Sequence, residues 1–309
     1  MKKVLLTGSN GLLGQKLVNL LAGKPGYQLL ATARGENRLG KVGKPYDYAE
    51  LDITNPAEVE KVVSYFKPDF IIHTAAMTNV DQCESDHEGC ILLNVTATKH
   101  LVEAAERNNS FFIHLSTDFI FDGTKGPLTE EDLPNPISFY GQSKLDAEKI
   151  VVESKLRWAI ARTVLVYGIV KDMSRTNIVL WVKKSLEEKK TINVVDDQWR
   201  TPTLAEDLAM GCFLIMDKEA TGIFNISGSE LLTPYEMAHK TADFFRLDKS
   251  YINKADSSTF TQPAKRPPRT GFVIDKAKKV LGYTPHSFVE GIHFMQSQMG
   301  MGVIKSSLD

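Results

Sequence analysis

The apolar positions of this chain fall into two rhythms. In the first half, short apolar runs alternate with stretches of helical period. Val4-Leu5-Leu6 reads as a buried strand, residues 11–21 as a helix and residues 28–33 as a second strand. Asn55 caps a helix that carries Pro56 at its first position and runs to Phe66. Residues 70–73 form a third strand, residues 92–107 a long helix and residues 111–115 a fourth strand. A loop with Pro127, Pro134 and Pro136 leads to a helix bearing Tyr140 and Lys144, then to a strand at 158–161. Short strands separated by helices predict an α/β fold with a doubly wound parallel sheet and right-handed crossovers.

The rhythm changes after about Gly168. Helical patterns at 177–188, 204–216 and 234–245 lie between short strand-like pieces such as 223–226. Lys265-Arg266-Pro267-Pro268-Arg269 is too proline-rich for a helix and reads as a loop. The expected organisation is a nucleotide-binding domain over 1–168. Residues 169–309 are expected to form mainly a smaller C-terminal α/β substrate lobe over the carboxyl edge of the sheet. The chain has room to cross back into that sheet.

Composition narrows the partners. With 309 residues and 42% hydrophobic content, the chain needs neither metal nor disulfide to build a core. A formal net charge of -1 gives no global field for nucleic acid or anionic membrane. Cys83, Cys90 and Cys212 form no CxxC pair, and the histidines show no metal-ligand spacing. No metal is expected. His73 and His114 end apolar strands and read as satisfied core groups. The opening apolar run is too short for a signal peptide, and no run reaches the length of a membrane span. A cytoplasmic protein is expected.

Two motifs carry chemistry. Thr7-Gly8-Ser9-Asn10-Gly11-Leu12-Leu13-Gly14 spaces its glycines as GxxGxxG between a strand and a helix. Gly8, Asn10, Gly11, Leu12 and Gly14 then form a phosphate loop, with the helix N-terminus facing a pyrophosphate. This is the context of a Rossmann-type dinucleotide site. Arg34 stands twenty residues beyond Gly14, with Arg38 nearby, which favours NADP(H); Glu36 keeps NAD(H) open. Further on, Tyr140 and Lys144 share one helix face at i, i+4. A phenol near pKa 10 exchanges protons slowly at neutral pH, and an adjacent ammonium is expected to lower that pKa. Ser116-Thr117-Asp118, directly after the fourth strand, is placed to polarise a carbonyl.

These elements resemble the extended short-chain dehydrogenase/reductases, and among them the dTDP-4-dehydrorhamnose reductase family. The matching stretches include the glycine loop, His73-Thr74-Ala75-Ala76 and Ser116-Thr117-Asp118-Phe119-Ile120-Phe121-Asp122-Gly123. Tyr140-Gly141-Gln142-Ser143-Lys144-Leu145 and Asp196-Asp197-Gln198-Trp199-Arg200-Thr201-Pro202-Thr203 also match. The resemblance implies reduction of a 4-keto-6-deoxy sugar nucleotide. Thr117 would bond the carbonyl, Tyr140 would donate the proton, and Lys144 would tune Tyr140 and hold the nicotinamide ribose. Asp52 and Ile53 would contact adenine, Ala75 and Ala76 would wall the cofactor, and Thr78 would lie near the pyrophosphate. On the substrate side stand Asp118, Trp199, Arg266 and Arg269, the two arginines as diphosphate partners. Arg200 departs from the small residue common in that family. Related 4,6-dehydratases carry Asp-Glu after the threonine, whereas Phe119 follows Asp118 here. A 4-epimerase and a non-catalytic subunit like the methionine adenosyltransferase beta subunit are the alternatives. The expected partner is a nucleotide sugar, with a homodimer as the assembly.

Overall fold

The computed structural model describes residues 1–39, 42–171 and 176–300. Its centre is a parallel sheet of seven strands. In chain order these are β1 (Lys2–Thr7), β2 (Tyr27–Ala33), β3 (Asp47–Glu50), β4 (Phe70–His73), β5 (Phe111–Thr117), β6 (Trp158–Thr163) and, much later, β10 (Gly222–Asn225). The spatial order is β10-β6-β5-β4-β1-β2-β3. The order reverses between β1 and β4, and ligands bind beyond the carboxyl ends of strands at such a switch point.

Strand alternation builds two cores. Val4, Leu6, Phe70, Ile72, Phe111 and Ile113 face one side, where α1 (Leu12–Leu21) lies. Leu5, Ile71 and Phe112 face the other, under α2 (Pro56–Phe66) and a long helical segment. That segment starts earlier than its pattern suggested. It joins α3 (Val80–Ser85) and α4 (His87–Ile91) to a π turn (Leu92–Thr96) and α5 (Ala97–Asn108). The α2 cap is as expected: Asn55 accepts from the backbone of Ala57 and Glu58. The polar edge strand β3 has no counterpart in the hydrophobic pattern. Helix α6 (Phe139–Glu153), capped by Ser138, follows the proline-rich loop.

The second half adds β7 (Val166–Tyr167), α7 (Ile178–Glu187), β8 (Ile192–Val195), β9 (Thr203–Leu204), α8 (Ala205–Asp217), α9 (Pro234–Phe245), β11 (Ile252–Ala255) and α10 (Phe288–Gly300). Strand β10 pairs with β6, and α8 packs on α1. The remaining helices enclose two separate cores beside the β8–β11 pair. Residues 265–269 are non-helical, with Arg269 bridged to Trp199. Among the described residues, no helix is long and apolar enough to cross a membrane.

Candidate active site

A cleft of about 790 Å³ opens at the carboxyl ends of β1, β2, β4 and β5. Leu165, Val166, Val170, Thr176 and Asn177 contribute to its lining from beyond β6. One end is built by Gly8, Asn10, Gly11, Leu12 and Gly14. A Cβ at Gly14 would strike the Gly8 carbonyl oxygen, so only glycine lets α1 press this closely on the loop. Asn10 ties the loop to its neighbour: its Nδ2 donates to the Glu36 carbonyl (2.9 Å), and its Oδ1 accepts from the Arg38 amide (3.0 Å). Arg34 and Arg38 line the wall; Glu36 is absent from it. Asp52, Ile53, Ala75, Ala76 and Thr78 also line it. Asp52 accepts from the Thr54 hydroxyl (2.6 Å) and amide (2.9 Å), which holds its carboxyl below the usual range. The loop, the helix end and two arginines suit a dinucleotide carrying an extra phosphate.

Thr117, Tyr140 and Lys144 meet at the cleft's other end. Thr117 is the last residue of β5. Its Oγ1 donates to Asp118 Oδ1 (3.1 Å) and accepts from the Phe119 amide (3.3 Å). Tyr140 and Lys144 come from the first turns of α6. Gly141 between them lets the helix ride on the Phe119 carbonyl, which a Cβ would strike. Burial pushes the Tyr140 phenol well above its ordinary range, and a hydrogen bond shared with Thr117 opposes this. The net direction is the reverse of that expected from the YxxxK spacing. Desolvation exceeds any help from the ammonium, whose Nζ instead lies 3.2 Å from His114 Nε2. Burial also lowers Lys144 to about 8, with Glu148 acting the other way.

The surrounding shell was only partly legible. Asn94, in the π turn, accepts from the Met77 amide (2.7 Å) and donates to Ser143 Oγ (3.0 Å), joining the cofactor wall to α6. Its sequence signal is weak: one polar residue in a helix. His73 is satisfied, with Nδ1 2.8 Å from the Thr7 hydroxyl and Nε2 3.2 Å from that of Thr98. Burial takes it down to about 3. His114 differs from the expectation of a satisfied core group, because its Nδ1 is buried without a partner.

The expected substrate residues divide. Asp118 lines the cleft yet is 2% exposed, and its carboxylate is occupied. It accepts from Thr117 and Thr270 and faces Arg200 Nε at 3.7 Å. Burial raises its pKa, and Arg200 is the main opposing influence. Arg200 also donates to the carbonyls of Trp199 (2.7 Å), Pro267 (2.6 Å) and Pro268 (3.3 Å). Trp199, Arg266 and Arg269 are not among the lining residues. The Arg266 guanidinium is taken by both oxygens of Asp81 (2.8 and 3.2 Å), and that of Arg269 lies 5.6 Å over the Trp199 ring.

The comparisons agree with this geometry. Residues 1–300 match the family model for the RmlD substrate binding domain. The dTDP-4-dehydrorhamnose reductase of Aggregatibacter actinomycetemcomitans is 30% identical over 92% of this chain and 95% of its own. Methionine adenosyltransferase 2 subunit beta of Rattus norvegicus is 32% identical over 83% of this chain and 76% of its own. The structure of dTDP-4-dehydrorhamnose reductase from Bacillus anthracis in complex with NADP superposes with a TM-score of 0.83 at 27% identity, covering 96% of this chain and 99% of that one. A model match over nearly the whole chain, carried on a Rossmann-type sheet with a cleft at its switch point, makes this protein a member of the RmlD substrate binding domain family.

Proposed function

We propose that this protein is an NADPH-dependent reductase of a 4-keto-6-deoxy sugar nucleotide, converting dTDP-4-dehydrorhamnose to dTDP-L-rhamnose. The observation that carries this reading is the meeting of the Thr117 and Tyr140 hydroxyls beside Lys144, in the cleft that starts at the glycine loop. A bound nicotinamide would supply the hydride for the C4 carbonyl carbon. Charge then grows on the carbonyl oxygen, where the two hydroxyls stabilise it. Thr117 orients that oxygen, and Tyr140 bonds it and gives up its proton. A phenol held above its ordinary range by burial stays protonated at neutral pH, which suits a donor. Lys144, one turn on, steadies the phenolate left behind. At the other end, Arg34 and Arg38 would hold the 2'-phosphate and Asp52 and Ile53 the adenine. Residues 169–309 would mainly form the substrate lobe. Three free thiols fit a cytoplasmic enzyme, and a homodimer is the assembly we expect.

The test is loss of NADPH absorbance with dTDP-4-keto-6-deoxy-L-mannose. Tyr140→Phe is expected to lower kcat by roughly 10²- to 10⁴-fold while NADPH affinity is kept. NADPH binding without oxidation by the intact protein would sink the substrate assignment. The second reading, a nucleotide-binding regulatory subunit, draws on the 32% identity to methionine adenosyltransferase 2 subunit beta. It requires formation of a stable complex with a catalytic methionine adenosyltransferase subunit and no turnover of any keto sugar.

A further inference from the structure

The face of the sheet beneath α6 carries an uncommon arrangement. His73, the last residue of β4, pairs in register with His114, in the middle of the neighbouring β5, and their ring centroids are 5.4 Å apart. Lys144 reaches down to them, with Nζ 3.2 Å from His114 Nε2. All three side chains are buried.

The proton positions follow from the partners. An ammonium only donates, so His114 Nε2 is the bare nitrogen and Nδ1 carries the proton. Thr98 gives its hydroxyl proton to the Asn94 carbonyl (2.7 Å), so it accepts from His73 Nε2. His73 Nδ1 then accepts from the Thr7 hydroxyl. Neither ring has a free site for a second proton except at the cost of a buried cation beside Lys144. Both imidazoles stay neutral; burial and the Lys144 charge hold His114 far below its ordinary range.

We propose that His114 is a positioning residue for Lys144, a neutral acceptor that fixes one ammonium N–H and leaves the other two for the cleft. The inference rests on the reductase reading and extends it. A carboxylate in that place would hold the ammonium equally well but offset its charge, which the phenolate of Tyr140 requires. An imidazole holds it without that offset. The rest of the ammonium's surroundings do not replace it. Tyr140 and Glu148 lie on its own helix, Glu148 is occupied by Arg162 of β6 (2.7 and 3.0 Å), Cys90 comes from α4, and His73 comes from β4. Asp118, at the end of β5, is occupied by Thr270, Thr117 and Arg200.

The experiment follows the alkaline limb of two pH profiles, kcat for keto-sugar reduction and NADPH affinity without substrate, in the full chain. His114→Leu removes the acceptor, so the ammonium is disfavoured. The limb is expected to move about one pH unit lower, a tenfold change in the ionisation equilibrium. His114→Gln, which keeps an oxygen acceptor, should bring the limb most of the way back. His114→Glu should move it higher while lowering kcat, and this variant keeps the proposal testable should the leucine variant fail to fold. Limbs that coincide in the wild type and His114→Leu would overturn the proposal, as would a glutamate limb no higher than the wild type's. A merely structural role would alter melting temperature without moving the limb. If the wild type binds NADPH with this limb but reduces no keto sugar, the substrate reading fails, and the role of His114 stands or falls on the shift of the NADPH limb in the variants. If NADPH does not bind at all, both fall.

Discussion

Arg200→Met would test how the second half of the chain is fastened to the catalytic strand. Arg200 is 5% exposed and Asp118 is 2% exposed, so the methionine would leave a buried carboxylate with only Thr117 and Thr270 as partners. It would also remove donors from the Trp199, Pro267 and Pro268 carbonyls. Breaking one member of a buried pair costs about 3–5 kcal/mol. Set against a total of roughly 5–15 kcal/mol, that is a large share, and the melting temperature should fall by roughly 5–8 °C. The pH dependence has a definite sign. Burial already raises Asp118 in the folded state, and losing Arg200 raises it further. An acid with a raised folded pKa binds its proton more tightly when folded. Its penalty is therefore absent at acid pH and grows as pH rises through the unfolded value towards the folded one. The variant should lie closest to the wild type in urea denaturation near pH 4–5 and fall away by pH 7. Asp118→Asn in the same background should recover part of the loss. A single variant within about 1 kcal/mol of the wild type at pH 7, with no pH trend, would refute the claim that this pair fastens the segments together.

Other perturbations have equally definite outcomes. Gly141→Ala would force α6 off the Phe119 carbonyl, and kcat should drop by roughly tenfold or more with NADPH affinity little changed, as read by steady-state kinetics and fluorescence titration. Lys144→Met should abolish reduction yet stabilise the protein at pH 7 by roughly 3 kcal/mol in urea denaturation, because a folded pKa of about 8 makes the charged form costly. That gain should shrink as pH rises through 8 towards the ordinary lysine value, where the folded wild type no longer carries the charge. Arg34→Ala with Arg38→Ala should weaken NADPH by roughly 10- to 100-fold and NADH by much less, measured by competitive titration.

What could be read from the sequence was what is encoded locally. The glycine loop, the Asn55–Pro56 helix start and the Tyr140–Lys144 face each depend on residues within a turn or two of one another. All appear in the structure at the expected places. What escaped depends on distant pairs. The hydrogen bond from Thr270 to Asp118 spans 152 positions, and nothing in either neighbourhood announces it. Arg266 looked free for a diphosphate because Asp81, its partner, lies far back in the chain. His114 looked like an ordinary core histidine because its strand is apolar; its partner sits on a helix thirty residues later. Strand β3 escaped for a different reason: at a sheet edge, Asp47 and Glu50 face outward and leave no apolar alternation.

Strand β10 and helix α8 carry a practical lesson for rebuilding this protein. They belong to the second half of the chain, yet one completes the central sheet and the other covers α1. A chimera that exchanges everything after Gly168 with a relative would therefore replace part of the nucleotide scaffold along with the substrate wall. To transplant specificity alone, the exchange should be made as two inserts, one before residue 205 and one after residue 226, with the intervening segment kept native.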